Sequence, residues 1–199
     1  MSDLRRFLQE LGCFNMSHSG RSLGDHLLNT YELLRGIGAA ESTAIAGGLH
    51  AIFGTNLYRN ASMQRERRAL IVAKFGERAA HLCVLFSRIN RPDDLESGHT
   101  TDHVTQRPIQ LTDRDLYDLR LIEAVNLAEQ GGSVWKFPAV ANVLRDHLSS
   151  HRGRKNRGTC STYLYSKLEG NIEIRFQKQR TEKKRLCNGV SGVAIGKIA

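Results

Sequence analysis

The sequence predicts an all-α fold for its first three quarters, followed by a basic C-terminal extension. Apolar residues recur every three to four positions through most of residues 1–148, which is the spacing of one face of an α-helix. Glycine or proline separates most of these stretches, as is typical where helices end. Alternation of the strand type occurs only near the end of the chain. We therefore predict a helical domain over 1–148 and an extension over 149–199.

The composition suits one domain of ordinary size, with 199 residues, 40% of them hydrophobic and 25% charged. No apolar run approaches the roughly 20 residues that a membrane helix needs, and the N-terminus lacks a signal-peptide core. We therefore expect a cytoplasmic protein with no membrane partner. The four cysteines are scattered without a CxxC pair, so they indicate neither a zinc site nor a disulfide framework.

The net charge of +9 belongs entirely to the extension. Residues 1–150 contain 17 basic and 17 acidic side chains, whereas the remaining residues contain 12 and 3. A basic segment of this kind neutralises phosphates without reading sequence, so weak, non-specific nucleic-acid contact through 149–199 is one predicted interaction. Two structures stay open for the extension. The segments TYLYSKL and NIEIRF alternate as in a β-hairpin, and the charge run beside them is typical of a disordered tail.

Two consecutive helices in the first third of the chain each carry a histidine. In the first, Ser22 is a plausible N-cap, the apolar pattern starts at Leu23, and His26 lies on the face that should be buried. The second runs from Ala44 to Phe53 and is apolar nearly all round, with His50 as its one ionisable residue. Gly47 and Gly48 lie inside it at a cost of roughly 1 kcal/mol each relative to alanine, which predicts close packing of another helix there.

The sequence that follows these two helices, up to residue 148, predicts four more helices. They span about Met63–Lys74, Glu77–Asn90, Leu111–Gln130 and Trp135–His147. The polar segment 91–110 contains HTTDH and is predicted to be a surface loop without a site, with a lid over a pocket as the alternative. At the start of the long helix, Thr112 and Asp115 have the spacing of a capping box. Further along it, Glu123 and Asn126 share the inward face, so both are predicted pocket residues. Arg120, one turn before Glu123, is the predicted partner that neutralises its charge.

A buried imidazole needs a hydrogen-bond partner or a metal. Two interpretations of His26 and His50 are open: separate core histidines that each find a hydrogen bond, or one shared polar site that also includes His18. The pattern of a histidine, one helix and then AGGLH resembles the opening of the HD-domain superfamily of metal-dependent phosphohydrolases. The later segment LIVAKFGERAAHLCVLFSRIN is similar in layout to the guanosine tetraphosphate hydrolase branch, and GGLHAIFGT resembles a group of uncharacterised bacterial HD-like proteins.

The resemblance implies an HD-like helical bundle around one divalent metal ion, Mn, Fe or Zn, bound by His26 and His50. The superfamily's two aspartate ligands fall at Ala51 and Asn126, so His18, Glu123 or Glu129 would have to substitute for them. Thr55 is a further predicted pocket residue.

The resemblance also implies a substrate role for the helix after the second histidine. Arg65 and Arg68 would lie at the mouth of the pocket and bind the phosphate or carboxylate of a substrate.

Three functions follow from this resemblance. The first is a metal-dependent, phosphohydrolase-like enzyme acting on a small phosphorylated or anionic molecule. The second is a non-catalytic HD-like protein that binds a small anionic molecule, since an aspartate normally supplies the charge that holds the metal. The third is an iron-dependent, oxygenase-like enzyme, because histidine-rich sites with few carboxylates also suit iron.

Overall fold

The computed structural model describes residues 3–54 and 64–151, which all belong to the first of two units of the chain, Met1–Asn156. This part is mostly helical, which confirms the all-α prediction. The extension lies outside it, and the boundary at residue 148 stays a prediction. The α-helices are α1 (Asp3–Glu10), α2 (Leu23–Gly36), α3 (Glu41–Leu49), α4 (Gln64–Phe75), α5 (Glu77–Arg88), α6 (Asp93–Ser97), α7 (Asp113–Glu129) and α8 (Pro138–His151).

One small hairpin interrupts the helical pattern between α1 and α2. Its strands, β1 (Ser17–His18) and β2 (Arg21–Ser22), pair antiparallel, with His18 opposite Arg21. Ser19 and Gly20 form the tip with φ angles of 47° and 83°. Each strand has only two residues, so no alternating pattern in the sequence could predict them. The hairpin matters because it holds two side chains beside the candidate site.

The core lies where α2, α3, α5 and α7 meet. Helix α2 packs against α3 and α7, and α3 also packs against α5 and α7. The side chains that fill this region are large, apolar and almost fully buried: Leu27, Leu34, Leu49, Leu82, Phe86, Leu119 and Ile122. Each buried side chain of this size contributes on the order of 1.5–3 kcal/mol. No helix of the described residues is long and apolar enough to cross a membrane.

The glycine pair of α3 lets α2 approach closely, as the sequence predicted. A Cβ atom at Gly47 would lie 2.1 Å from Leu34 Cδ1, and one at Gly48 would lie 2.9 Å from Tyr31 Cβ. Real Cβ atoms essentially never approach other atoms this closely, so a larger residue at either position would force the facing residues of α2 to shift. The predicted bounds of this helix are wrong: α3 spans Glu41–Leu49, and a turn follows in which Gly54 N donates to Ala51 O.

The predicted helix starts are confirmed for α2 and α7. Ser22 Oγ accepts a hydrogen bond from Asp25 N at 3.0 Å and so caps α2. At α7, Thr112 and Asp115 form a reciprocal capping box. Both caps were visible in the sequence because capping depends on residues only three positions apart.

The segment 91–110 is pinned to the protein, which does not favour the lid alternative. It contains α6, and both His103 N and His103 Nδ1 lie 2.8 Å from Arg88 O. Asp102 accepts hydrogen bonds from the backbone of Val104 and Thr105 and pairs with Arg88. His99 is exposed. The polar residues of HTTDH that the structure pairs therefore stabilise the turn.

A polar junction joins α3, α5 and α7. Arg78 pairs with both Asp115 and Asp118, and Thr43 Oγ1 donates to Asp118 at 2.9 Å. Burial raises the pKa of Asp115, but hydrogen bonds from Thr112 and Arg78 outweigh this effect and lower it from 3.8 to about 2. The carboxylate form is thus favoured in the folded state.

We expect Asp115→Asn to lower the free energy of unfolding by about 1–3 kcal/mol at pH 7, since Arg78 loses a charged partner. In the native chain this contribution is fully present above about pH 4 and is lost as the pH falls toward 2, because the folded-state pKa is the lower one. Urea unfolding at pH 7, 4 and 2.5 measures both effects. The exposed Asp113→Asn is the matched control, and equal acid sensitivity of wild type and Asp115→Asn would contradict the prediction.

Candidate metal centre

The structure brings His26 and His50 together in the core. His26 is the fourth residue of α2 and His50 directly follows α3, and their exposed fractions are 0% and 3%. Their Nε2 atoms are 3.2 Å apart, and the rings meet edge to face with centroids 5.0 Å apart. Since Gly47 and Gly48 bring α2 and α3 close, the packing of these helices sets this distance.

The other ring nitrogen of each histidine is already engaged. His50 Nδ1 lies 2.6 Å from Gly47 O, and a carbonyl oxygen only accepts, so Nδ1 must carry the proton. Burial, followed by the nearby His26 and Arg91, holds the pKa of His50 well below its usual value. A neutral His50 protonated at Nδ1 presents the lone pair of Nε2 to His26.

Glu129, in the last turn of α7, binds the outer nitrogen of His26. Its Oε2 lies 2.6 Å from His26 Nδ1, Arg21 pairs with the same oxygen, and Asn29 Nδ2 donates to Oε1 at 3.2 Å. Burial raises the pKa of Glu129, but the hydrogen bonds from His26 and Asn29 and the charges of His26 and Arg21 outweigh it and hold the pKa below its usual value. The ionised carboxylate therefore accepts a hydrogen bond from His26 Nδ1.

With both Nδ1 atoms protonated, the two Nε2 atoms face each other with lone pairs. Such a contact is favourable only when a cation lies between them, either a proton or a metal ion. The observed separation of 3.2 Å is that of a hydrogen bond between the two rings, and two nitrogens that bind one tetrahedral zinc ion would lie at a similar distance, roughly 3.3 Å apart. Metal-binding histidines also typically donate the other N–H to a carboxylate or carbonyl, as both do here.

His18, on β1 of the hairpin, contacts the ring of His26. Its ring stacks on that of His26 with centroids 4.7 Å apart, and its Nε2 atom is buried without a hydrogen-bond partner in the structure. Burial, followed by the charges of His26 and Arg21, lowers the pKa of His18. No group of three or more His, Cys, Asp or Glu side chains in residues 3–54 and 64–151 has the geometry of a metal site. A ligand role for His18 stays a prediction.

A cavity of about 140 Å³ lies beside the histidines. That is room for about four or five water molecules at roughly 30 Å³ each. His18 and His50 form one side, and Glu123, Asn126 and Gln130 line it from α7 and its end. The remaining lining residues are Leu23, Ala51, Arg91, Pro92 and Leu127. The structure thus places both predicted pocket residues of α7 at the cavity.

Arg91, not Arg120, is the partner of Glu123. Arg91 Nη1 lies 2.5 Å from Glu123 Oε2, and the guanidinium lies 3.8 Å from the centre of the Phe86 ring. Arg120 instead donates to the backbone oxygens of Leu95 and Glu96. Burial raises the pKa of Glu123, although Arg91 opposes this. The prediction for Arg120 was wrong because the true partner follows a different helix, where periodicity gives no information.

Asn126 occupies the position at which the resemblance implies an aspartate ligand. Its Nδ2 donates to Glu123 Oε2 at 3.3 Å, and its Oδ1 accepts from Gln130 Nε2 at 2.9 Å. Gln130 Nε2 also lies 3.5 Å from His26 Nε2. A row of amides along α7 therefore connects the Arg91–Glu123 pair to the histidines, with no carboxylate where the resemblance implies one.

Arg68, one of the two arginines predicted to bind a substrate, does not line the cavity. It pairs with Glu77 and its side chain is 45% exposed. Arg65 lies in the first turn of α4, but its side chain is outside what the structure describes, as is Thr55. Among the side chains that the structure describes, Arg21 and Arg91 are the arginines that contact the site, and the sequence offered no local signal for either.

One protein family matches part of the chain. Residues 7–91 match a family described as "Domain of unknown function (DUF6817)". The matched segment includes His18, Arg21, His26, His50 and Arg91, and it ends before α7. No curated protein and no solved structure matches the chain.

We expect Arg91→Met to destabilise the fold by about 3–5 kcal/mol, because it leaves the Glu123 carboxylate buried without its partner. The double variant Arg91→Met with Glu123→Gln should recover a large part of that loss, since neither charge remains. Urea unfolding of the wild type, both single variants and the double variant measures the coupling. Additive single effects would contradict a direct interaction between these side chains.

Proposed function

We propose that the chain is a divergent HD-like protein that binds one divalent metal ion between His26 and His50 and hydrolyses a small phosphorylated or otherwise anionic molecule. The observation that carries the proposal is the 3.2 Å separation of the two Nε2 atoms while both Nδ1 atoms are held by Gly47 O and Glu129. An imidazole-rich site favours zinc or another transition metal over magnesium or calcium.

In the proposed reaction, different residues of the site bind the metal ion, accept a proton and orient the substrate. When bound, the metal ion would lower the pKa of a water molecule and polarise a phosphoryl oxygen. His26 and His50 hold the metal, and His18, with its unpaired Nε2 atom buried beside His26, accepts a proton from water in the cavity. Gln130 and Asn126 offer amide groups that orient the substrate.

The cavity supports a small anionic ligand. Arg91 lines it with a guanidinium group that uses Nη1 for Glu123 and Nε for Phe86 O, so further N–H donors remain for a ligand. Glu123 offsets the charge of Arg91, which limits the attraction for highly charged molecules. The volume of about 140 Å³ suits a phosphoryl or carboxylate group with a few additional atoms.

A non-catalytic, small-molecule-binding protein is the second candidate. It is favoured by Ala51 and Asn126 at the aspartate positions of the superfamily, because fewer carboxylates hold a dication less tightly. The amide of Asn126 is also engaged by Glu123 and Gln130 rather than directed at a metal. An iron-dependent oxygenase remains a variant of the first proposal with the same two histidines.

We expect the purified full-length chain to bind one zinc, manganese or iron ion, and His26→Ala and His50→Gln each to reduce the bound metal several-fold or more. Elemental analysis after loading and desalting measures this, with the exposed His99→Ala as the matched control and circular dichroism as the check on folding. If the folded variants retain the metal content of the wild type, or if the wild type binds no metal, the proposed centre is wrong.

Hydrolysis of a generic phosphomonoester by the metal-loaded chain separates the two candidates. An enzyme should lose this activity in His50→Gln and keep it in His99→Ala, whereas a binding protein should show no turnover above that of the free metal ion.

A further inference from the structure

We propose that Glu129 is a positioning residue that holds a proton on Nδ1 of His26, so that Nε2 is the nitrogen that faces His50. This inference deepens the proposed function and rests on it for the metal, but the tautomer itself can be measured without any metal. It assigns to Glu129 an effect exerted through His26 rather than a place among the ligands.

The first support is the geometry of the His26–Glu129 contact. Oε2 lies 2.6 Å from Nδ1, a distance typical of a charge-assisted hydrogen bond. A neutral imidazole carries one proton, and the hydrogen bond at one nitrogen determines which nitrogen holds it. A carboxylate at Nδ1 holds one proton on that nitrogen, so Nε2 is the nitrogen that shares a proton with His50 or binds a metal ion in its place. The tautomer that can bind a metal beside His50 is therefore the one that Glu129 favours.

The second support is that Glu129 is held away from the gap between the Nε2 atoms. Its Oε2 is paired with Arg21 of β2, its Oε1 accepts from Asn29 of α2, and its side chain is only 3% exposed. Both carboxylate oxygens are thus occupied on the Nδ1 side of His26. Rotation of Glu129 toward Nε2 would break these contacts, so the carboxylate is placed to act on the metal only through the ring.

The third support is that Glu129 and Gly47 each accept a hydrogen bond from the Nδ1 atom of one histidine. The carbonyl of Gly47 fixes the Nδ1 proton of His50 at 2.6 Å, as Glu129 fixes that of His26 at 2.6 Å. The difference is charge: a carboxylate increases the basicity of the ring more than a carbonyl does. Partners of this kind typically change metal affinity by about 10- to 100-fold when they are removed.

The test compares Glu129→Gln, Glu129→Ala and the control Glu41→Gln, which removes a carboxylate from the surface near Tyr31 and Arg35. Zinc affinity is measured by competition with a chelator, and the His26 tautomer by imidazole ¹⁵N NMR of the metal-free chain. We expect zinc affinity to fall about 10- to 100-fold in Glu129→Ala, less in Glu129→Gln, and not at all in Glu41→Gln. In Glu129→Ala, Nδ1 of His26 should lose its proton, and the ring should keep one proton on Nε2.

The outcomes keep this inference and the proposed centre distinguishable. A folded Glu129→Ala in which His26 stays protonated at Nδ1 would overturn the positioning role, whatever the zinc affinity. A wild type that binds no zinc, yet shows the tautomer shift in Glu129→Ala, would overturn the metal centre and retain the positioning role. If Glu129→Ala does not fold, Glu129→Gln decides: an unchanged zinc affinity and unchanged ¹⁵N shifts would overturn the proposal.

Discussion

The contact between two imidazole nitrogens in the core is the constraint on which the rest of the structure depends. His26 and His50 are buried and meet through Nε2, so neither ring can turn to water for a partner. A buried polar group without a partner costs on the order of 1–3 kcal/mol, and a buried charge costs more. The surrounding residues supply the compensation: a carbonyl for one ring, and for the other a carboxylate that is itself neutralised by an arginine.

Helices α2, α3 and α7 and the β1–β2 hairpin meet around these two histidines, and a different feature of the sequence positions each of them. The glycines of α3 allow α2 to approach, the cap at Ser22 fixes where α2 begins, and the capping box at Thr112 fixes where α7 begins. The hairpin places Arg21 and His18 on the outer side. Helix geometry then carries the polar row of α7 past the cavity at intervals of three and four residues. Small shifts in any of these elements would separate the two nitrogens.

The sequence predicted those features that depend on neighbours in the chain. Periodicity identified the helices, the caps of α2 and α7 were visible as short motifs, and the inward faces placed His26, Glu123 and Asn126 correctly at the interior. Pairings between distant residues were not predictable in the same way. Arg91 was predicted to lie in a loop, and Arg120 was predicted to be the partner of Glu123. Periodicity predicts each helix separately, but it gives no information on the contact between α7 and the residues that follow α5.

The end of α3 and the hairpin escaped prediction for local reasons. His50 donates back to Gly47 O and the chain turns after Leu49, although the apolar run continues to Phe53. Two-residue strands carry no repeating pattern. Arg68 was predicted to bind a substrate, and basic residues are unusual at a helix start. In the structure it pairs instead with Glu77, nine residues later in the chain.

The separation of His26 and Glu129 by 103 positions in the chain has a consequence for biosynthesis. During translation the two imidazoles leave the ribosome long before α7, and a contact that closes so large a loop forms late in folding. Until then the nascent helices lack the carboxylate that orders one of the rings. The defined arrangement of the two imidazoles would consequently arise only when the helical domain is complete.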